Sequence, residues 1–91
     1  MKVQAQVSIY PLRTEALAKP VEEFCRRLQD RGLKVNIRSM STSIVGDSDR
    51  VFQAVKRAFQ GLAADYEVVM DLKVSNACPE TPESGYGKEV D

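Results

Sequence analysis

The chain has 91 residues, of which 43% are hydrophobic and 29% charged, and its formal net charge at pH 7 is zero. This length supports one two-layer domain, and the composition is too apolar for a disordered chain. The charge balance excludes the basic surface of a nucleic-acid binder, and no apolar run approaches the roughly 20 residues of a membrane span. We therefore expect a soluble cytoplasmic protein with no nucleic-acid partner and no membrane insertion.

Two residue types that often carry chemistry are scarce. Histidine, the commonest general base and metal ligand, is absent, and the only cysteines are Cys25 and Cys78. Their spacing fits neither a CxxC pair nor a zinc site, and the sequence fixes no basic neighbour that would activate Cys78. We expect no metal, no cofactor and no catalytic cysteine.

The first segment alternates apolar and polar residues from Val3 to Tyr10, which predicts a half-buried strand that Pro11 ends. From about Lys19 to Asp30 the period becomes helical, with Pro20 in the first turn and Gly32 as the residue that follows the helix. Its apolar stripe consists of Val21, Phe24, Cys25 and Leu28.

Two short strands come next, one around Val35 and Ile37 and one from Thr42 to Val45. Asp47 or Ser48 is then placed to cap a second helix. The apolar stripe predicted for that helix is Val51, Phe52, Val55, Phe59 and Leu62. A last strand is expected from Tyr66 to Ser75.

The order β-α-β-β-α-β predicts an α+β, ferredoxin-like fold in which two helices cover one face of a four-stranded antiparallel sheet with spatial order 4-1-3-2. We assign this domain to residues 1–78, which carry 12 basic and 9 acidic residues. Residues 79–91 carry one basic and four acidic residues, lack periodicity and are expected to form a flexible acidic tail.

The face without helices is predicted to be mainly polar, yet Val45, Val69 and Tyr10 fall on it. Either a second subunit covers part of this face, or it is an imperfect solvent-facing sheet.

Three segments carry a resemblance to a known family. VSIYPLR at 7–13, MSTSIVGDSDRVFQAVKRAF at 40–59 and VVMDLKVSNACP at 68–79 together resemble the YkoF-like family of thiamine- and hydroxymethylpyrimidine-binding proteins. The resemblance implies non-catalytic binding of thiamine or its pyrimidine precursor in salvage or transport. It also implies a homo-oligomer, a homodimer or homotetramer, in which a partner copy completes the pocket of this single domain.

Such a ligand needs short hydrogen-bonding side chains, a surface for a flat ring and a carboxylate to balance the cationic thiazolium. The residues near strand ends that supply these groups are Ser8, Tyr10, Met40, Ser41, Thr42, Ser43, Asp71, Ser75 and Asn76. Ordinary structural roles remain open for them. Asp71 can pair with Lys73 or Arg38, and Asn76 can serve a turn.

Three other functions fit the same fold. Acylphosphatase chemistry on Arg13 and Asn36 lacks the glycine-rich phosphate cradle, and Pro11 removes one backbone N–H. An RNA-recognition motif lacks aromatic residues in the third strand. A regulatory domain similar to ACT domains, which binds an amino acid at a subunit interface, stays open as the alternative function.

Overall fold

The structure is a computed structural model that describes residues 1–29, 32–38 and 41–77. Its elements, in chain order, are β1 (Lys2–Leu12), α1 (Ala18–Leu28), β2 (Lys34–Ile37), β3 (Thr42–Asp47), α2 (Ser48–Ala63) and β4 (Glu67–Ser75). This order confirms the predicted βαββαβ arrangement. The predicted tail 79–91 and Cys78 lie outside the described residues, as does Met40. No helix among the described residues is long and apolar enough to span a membrane.

All four strands form one antiparallel sheet in the order β2-β3-β1-β4, as the sequence predicted. β1 is central, since it pairs with β3 from Lys2 to Val7 and with β4 from Gln4 to Leu12. The alternation in β1 therefore fixes which side chains of both neighbouring strands share a face.

The core lies between one face of this sheet and the two helices. Its buried side chains form a single cluster: Val3, Ala5, Val7, Phe24, Leu28, Ile44, Val51, Ala54, Val55, Ala58 and Leu62. Since strand and helix residues share this cluster, both helices pack on the same side of the sheet. The other face has no covering layer in the described residues.

β1 is longer than the sequence predicted, because it continues through Pro11 to Leu12. Beyond Val7 the described residues of β3 no longer pair with β1, and β4 is the only neighbouring strand. Proline is tolerated where a strand is locally an edge, because a missing N–H there breaks no ladder on the open side.

Two helix details also differ from the prediction. The buried stripe of α2 consists of Val51, Ala54, Val55, Ala58 and Leu62, whereas Phe52 is 50% exposed. α1 ends at Leu28, and Gly32 adopts its positive φ of 84° within the turn that follows rather than directly after the helix. The apolar pattern predicted the helices correctly but not which of two adjacent apolar residues, Val51 or Phe52, faces the core.

Asp47 caps α2, as predicted. Its Oδ2 accepts the Asp49 N–H at 3.1 Å, and its Oδ1 accepts from the N-terminal ammonium at 3.1 Å. Both hydrogen bonds hold the pKa of the Asp47 carboxyl below its ordinary value, and the one from the ammonium has the larger effect. The start of α2 is further tied to β1 because the Ser48 N–H donates to the Met1 carbonyl oxygen at 2.7 Å.

Gly46 provides a test of the fit between β3 and the turn before β2. It is buried, and a Cβ at this position would lie 2.5 Å from Leu33 Cδ2 and 3.2 Å from the Gly32 carbonyl oxygen. We predict that Gly46→Ala lowers the free energy of unfolding by about 1–3 kcal/mol, because Leu33 has to leave its place against the core. Urea denaturation measures this loss. Ser43→Ala, on the opposite face of β3, is the control, and equal midpoints for both variants would contradict the packing described.

Candidate functional site

The candidate site lies on the sheet face that the helices leave uncovered, which we call the open face. Alternation places on it the following side chains: Gln4, Gln6, Ser8, Tyr10 and Leu12 of β1, Glu67, Val69, Asp71, Lys73 and Ser75 of β4, Ser43 and Val45 of β3, and Lys34 and Asn36 of β2. Ser41, which precedes buried Thr42, falls on the same face.

The centre of the open face is a group of hydrogen-bonding side chains. Gln6 is opposite Ser43 on β3, and its Nε2 donates to Ser41 Oγ at 3.1 Å. Ser8 is opposite Asp71 on β4. Ser41 is held in place because its carbonyl oxygen accepts the Arg38 N–H at 2.9 Å, which closes the connection between β2 and β3. We call Gln6, Ser8, Ser41 and Ser43 the polar centre, which offers one amide and three hydroxyl groups, and the Asp71 carboxylate lies beside it on β4.

The end of the open face beyond this polar centre is apolar. Tyr10 and Val69 are directly opposite each other on β1 and β4, and they are 52% and 50% exposed. Leu12, two residues further along the same face, is 41% exposed. We call these three residues the apolar end. An exposed apolar patch with a polar rim is typical of a surface that contacts a ligand or another protein chain.

Arg13 and Glu67 close the apolar end. Glu67 is opposite Leu12, and the Arg13 guanidinium forms an ion pair with its carboxylate. Arg13 reaches it from a backbone with φ of 54°, in the left-handed region that non-glycine residues seldom adopt. Both side chains are largely exposed, so the ion pair contributes little stability. It lies at the point where β1 ends.

Among the described residues Asp71, unlike Glu67, has no cationic partner. Within the part of the chain that the structure describes, neither Lys73 nor Arg38 forms an ion pair with it. The sequence left a surface pair with one of these residues open, and the structure shows none. An exposed carboxylate between an apolar end and a polar centre is available to balance a cation brought by a ligand.

The structure brings together five of the nine predicted site residues on one part of the open face: Ser8, Tyr10, Ser41, Ser43 and Asp71. Ser75 is on the same face but six residues along β4 from Val69, or about 20 Å from the apolar end. Its Oγ accepts the Ala77 N–H at 3.0 Å, and Asn76 follows it at the end of the strand. On one copy Ser75 and Asn76 therefore lie far from Tyr10, at the other end of the open face.

Thr42 is on the helix side of the sheet. It is buried, and its Oγ1 is 3.3 Å from the Sγ of Cys25 on α1. Cys25 is itself buried, in agreement with its predicted place in the core. The structure therefore separates Thr42 from its neighbours Ser41 and Ser43, whose side chains point to the other face.

The sequence did not single out three residues that the structure adds to the candidate site. Gln6 was placed on the open face by alternation, but only its hydrogen bond with Ser41 connects it to the polar centre. Leu12 was missed because the strand was expected to end at Pro11, and Val69 was assigned to the open face without a role. Extending the alternation of β1 by one residue beyond Pro11 places Leu12 on the open face.

The arrangement of Arg13 and Asn36 does not support acylphosphatase chemistry. Asn36 pairs with Ser43 and therefore lies level with Gln6, seven residues before Arg13 along β1. At about 3.3 Å per residue, the backbone positions of Arg13 and Asn36 are more than 20 Å apart, which is too far for both side chains to hold one phosphate. Among the described residues no group of three His, Cys, Asp or Glu side chains is placed to hold a metal ion either.

The structure is a small ferredoxin-like domain whose sheet has one face not covered by the helices. A family model described as thiamine-binding protein matches residues 5–81. The chain belongs to the thiamine-binding protein family, which confirms the resemblance found in the sequence. No curated protein matches the chain.

Solved structures agree on the fold. A hypothetical protein from Methanocaldococcus jannascii is 28% identical with a TM-score of 0.80, over 98% of this chain and 94% of that one. A domain of unknown function from Bacillus cereus is 24% identical with a TM-score of 0.73, over 97% and 86% of the two chains. A Thermotoga maritima protein proposed to act in thiamine biosynthesis or salvage is 18% identical with a TM-score of 0.80, over 98% and 99%.

The two sides of β3 predict different effects of mutation. Thr42→Val removes the hydroxyl next to Cys25 with little change in shape, and we expect it to lower the free energy of unfolding by about 0.5–1.5 kcal/mol. Ligand affinity measured on the folded protein should stay unchanged, because the side chain lies beneath the sheet. Ser41→Ala is the matched control on the open face, with the opposite expectation. A loss of affinity in Thr42→Val without a loss of stability would contradict this assignment.

Proposed function

We propose that this protein is a non-catalytic binding protein for thiamine or its hydroxymethylpyrimidine precursor, which acts in thiamine salvage or transport in the cytoplasm as a homo-oligomer. The observation that carries the proposal is the position of the Asp71 carboxylate, which forms no ion pair with a described residue, between the apolar end and the polar centre of a chain of the thiamine-binding family.

The chemistry of the open face matches the parts of thiamine. Thiamine joins a flat aminopyrimidine, which has a donor group and ring-nitrogen acceptors, to a cationic thiazolium that carries a hydroxyl group. Tyr10 and Val69 offer a surface for a flat ring. Gln6 and Ser8 supply both donors and acceptors, and Asp71 supplies the charge that balances the thiazolium.

A second copy of the chain supplies the other wall of the pocket. On one copy the apolar end is a flat, exposed surface, whereas small-molecule sites bury most of the ligand. Two open faces that pack against each other bury Tyr10, Leu12 and Val69 of both copies and enclose the polar centre. The dimer is therefore part of the proposed binding site.

Asp71→Asn tests the role of the carboxylate. The substitution keeps the shape and removes the charge, so we expect thiamine affinity to fall roughly tenfold, equivalent to about 1.4 kcal/mol. Affinity for uncharged hydroxymethylpyrimidine should change little. Titration calorimetry measures both ligands, with Lys73→Gln as the control on the same strand and face.

Equal losses for the two ligands would show that Asp71 does not face the cationic ring. A panel of amino acids in the same titrations covers the alternative function. Binding of an amino acid, with no binding of either thiamine or hydroxymethylpyrimidine, would favour the regulatory domain and refute the proposal.

The apolar end tests the role of the second copy. Val69→Lys places a charge where two copies are proposed to meet, so we expect a shift to monomer together with loss of thiamine binding. Native mass spectrometry reports copy number and any retained ligand in one measurement. Ile37→Thr is the control, since Ile37 is 57% exposed but lies at the β2 edge on the helix side. A wild-type monomer that binds thiamine as tightly as the assembled protein would refute the shared pocket.

A further inference from the structure

A second apolar surface lies on the helix layer, away from the open face. It is formed by Phe52 and Phe59 of α2 and Val74 of β4, which we call the α2–β4 flank. Phe52 is 50% exposed, Val74 is 39% exposed and Phe59 is half-buried. The proposed function uses none of these residues.

The helical period places both phenylalanines on the side of α2 that faces away from α1. Gly61 marks the side towards α1, because a Cβ there would collide with the Arg27 guanidinium. At about 100° per residue, Gly61 lies roughly 80° to one side of buried Val51, while Phe52 and Phe59 lie roughly 80–100° to the other side. Since α2 connects β3 to β4 and contacts β4, this second side borders the β4 edge of the sheet.

β4 continues the same apolar strip. Val68, Met70 and Leu72 pack against the core, and Val74 follows them on the same side of the strand. Val74 pairs with Ala5 of β1, yet it stays substantially exposed because it lies at the sheet edge. The apolar residues on the helix side of β4 thus extend beyond the part of the strand that α2 covers.

The flank lies where the chain leaves the sheet. The hydrogen bond from Ser48 to Met1 sets the start of α2 level with the start of β1. Phe52, four residues into the helix, is about 6 Å above that level, close to the height of Val3, which is two residues along β1. Continuing the register of β4 past Ser75 brings Asn76 to this same height. The described part of the chain therefore ends close to the level of Phe52.

The segment 78–91 is long enough to cover the flank, and its net charge is opposite to that of the rest of the chain. Residues 78–91 carry Lys88 and four acidic residues, a net charge of −3, whereas residues 1–77 carry a net +3. Lys56 is exposed between Phe52 and Phe59 on α2. Fourteen residues reach up to about 46 Å, and α2 is about 24 Å long, so the segment can follow the whole helix. Tyr86 and Val90 are its large apolar side chains apart from the prolines and Cys78.

We propose that the C-terminal segment 78–91 docks on the α2–β4 flank of its own chain, with Tyr86 covering Phe52 or Phe59 and its acidic residues near Lys56. This contact goes beyond the proposed function, because it buries an apolar surface on the opposite layer from the open face.

Paramagnetic broadening in the full chain tests the docking. A nitroxide is attached at position 83 of the Cys78→Ser, Glu83→Cys protein, which leaves only buried Cys25 as a second thiol. The expected result is loss of most of the amide signal intensity for residues 52–59 and 72–75, with the weakest effect on Lys34 to Ile37 of β2 at the opposite edge of the sheet. Raising the salt to about 0.5 M should restore part of the intensity, because the ionic contribution is screened.

Two variants in the labelled background make the test specific. Tyr86→Ser and Phe52→Ser should each restore the signals, whereas Ile37→Thr, which removes an exposed apolar side chain elsewhere, should not. Broadening spread evenly over the surface would overturn the proposal. So would equal broadening in a mixture of nitroxide-labelled chains without the isotope and isotope-labelled chains without the nitroxide, since the occupant would then be a second copy.

Discussion

The alternation of side chains along β1 is the constraint on which the rest of the structure depends. Val3, Ala5 and Val7 are buried under the helices, and the residues between them point to the open face. Because β1 pairs with both β3 and β4, its register assigns the faces of three strands together. A slip of one residue would bring Gln4 and Gln6 under the helices and expose the core, so the position of the candidate site is fixed by the same packing that stabilises the domain.

The sequence predicted the fold well because each element carried its own local signal. Period-two segments, a helical stripe before Gly32 and a cap at Asp47 all agreed with one topology. Two misplacements have a common physical cause, which is that local patterns do not report the neighbours of a residue. Pro11 ends a strand only where its nitrogen faces a partner strand, and Phe52 enters the core only if α2 is rotated towards it.

The candidate site was predictable in its location but less so in its membership. Alternation alone placed Ser8, Tyr10 and Asp71 on one face, and the structure brings them together. It could not show that Thr42 turns under the sheet to contact Cys25. The distance along β4 also separates Ser75 from the apolar end, although both are at strand ends in the sequence. Proximity to a strand end is a weaker indicator than position within the ladder.

The size of the domain explains why the apolar part of the open face lies at one end. A chain of this length has too little material for a second covering layer, so most of the open face has to be compatible with water. The sheet is four strands wide near Gln6 but narrows to β1 and β4 around Tyr10 and Val69, since the described pairing with β3 ends at Val7. Two-stranded ribbons twist more than broad sheets and can curve around a partner. The exposed aromatic and aliphatic groups of the open face are therefore concentrated where the sheet is narrow, and Asp71 lies at the boundary between the apolar end and the polar centre.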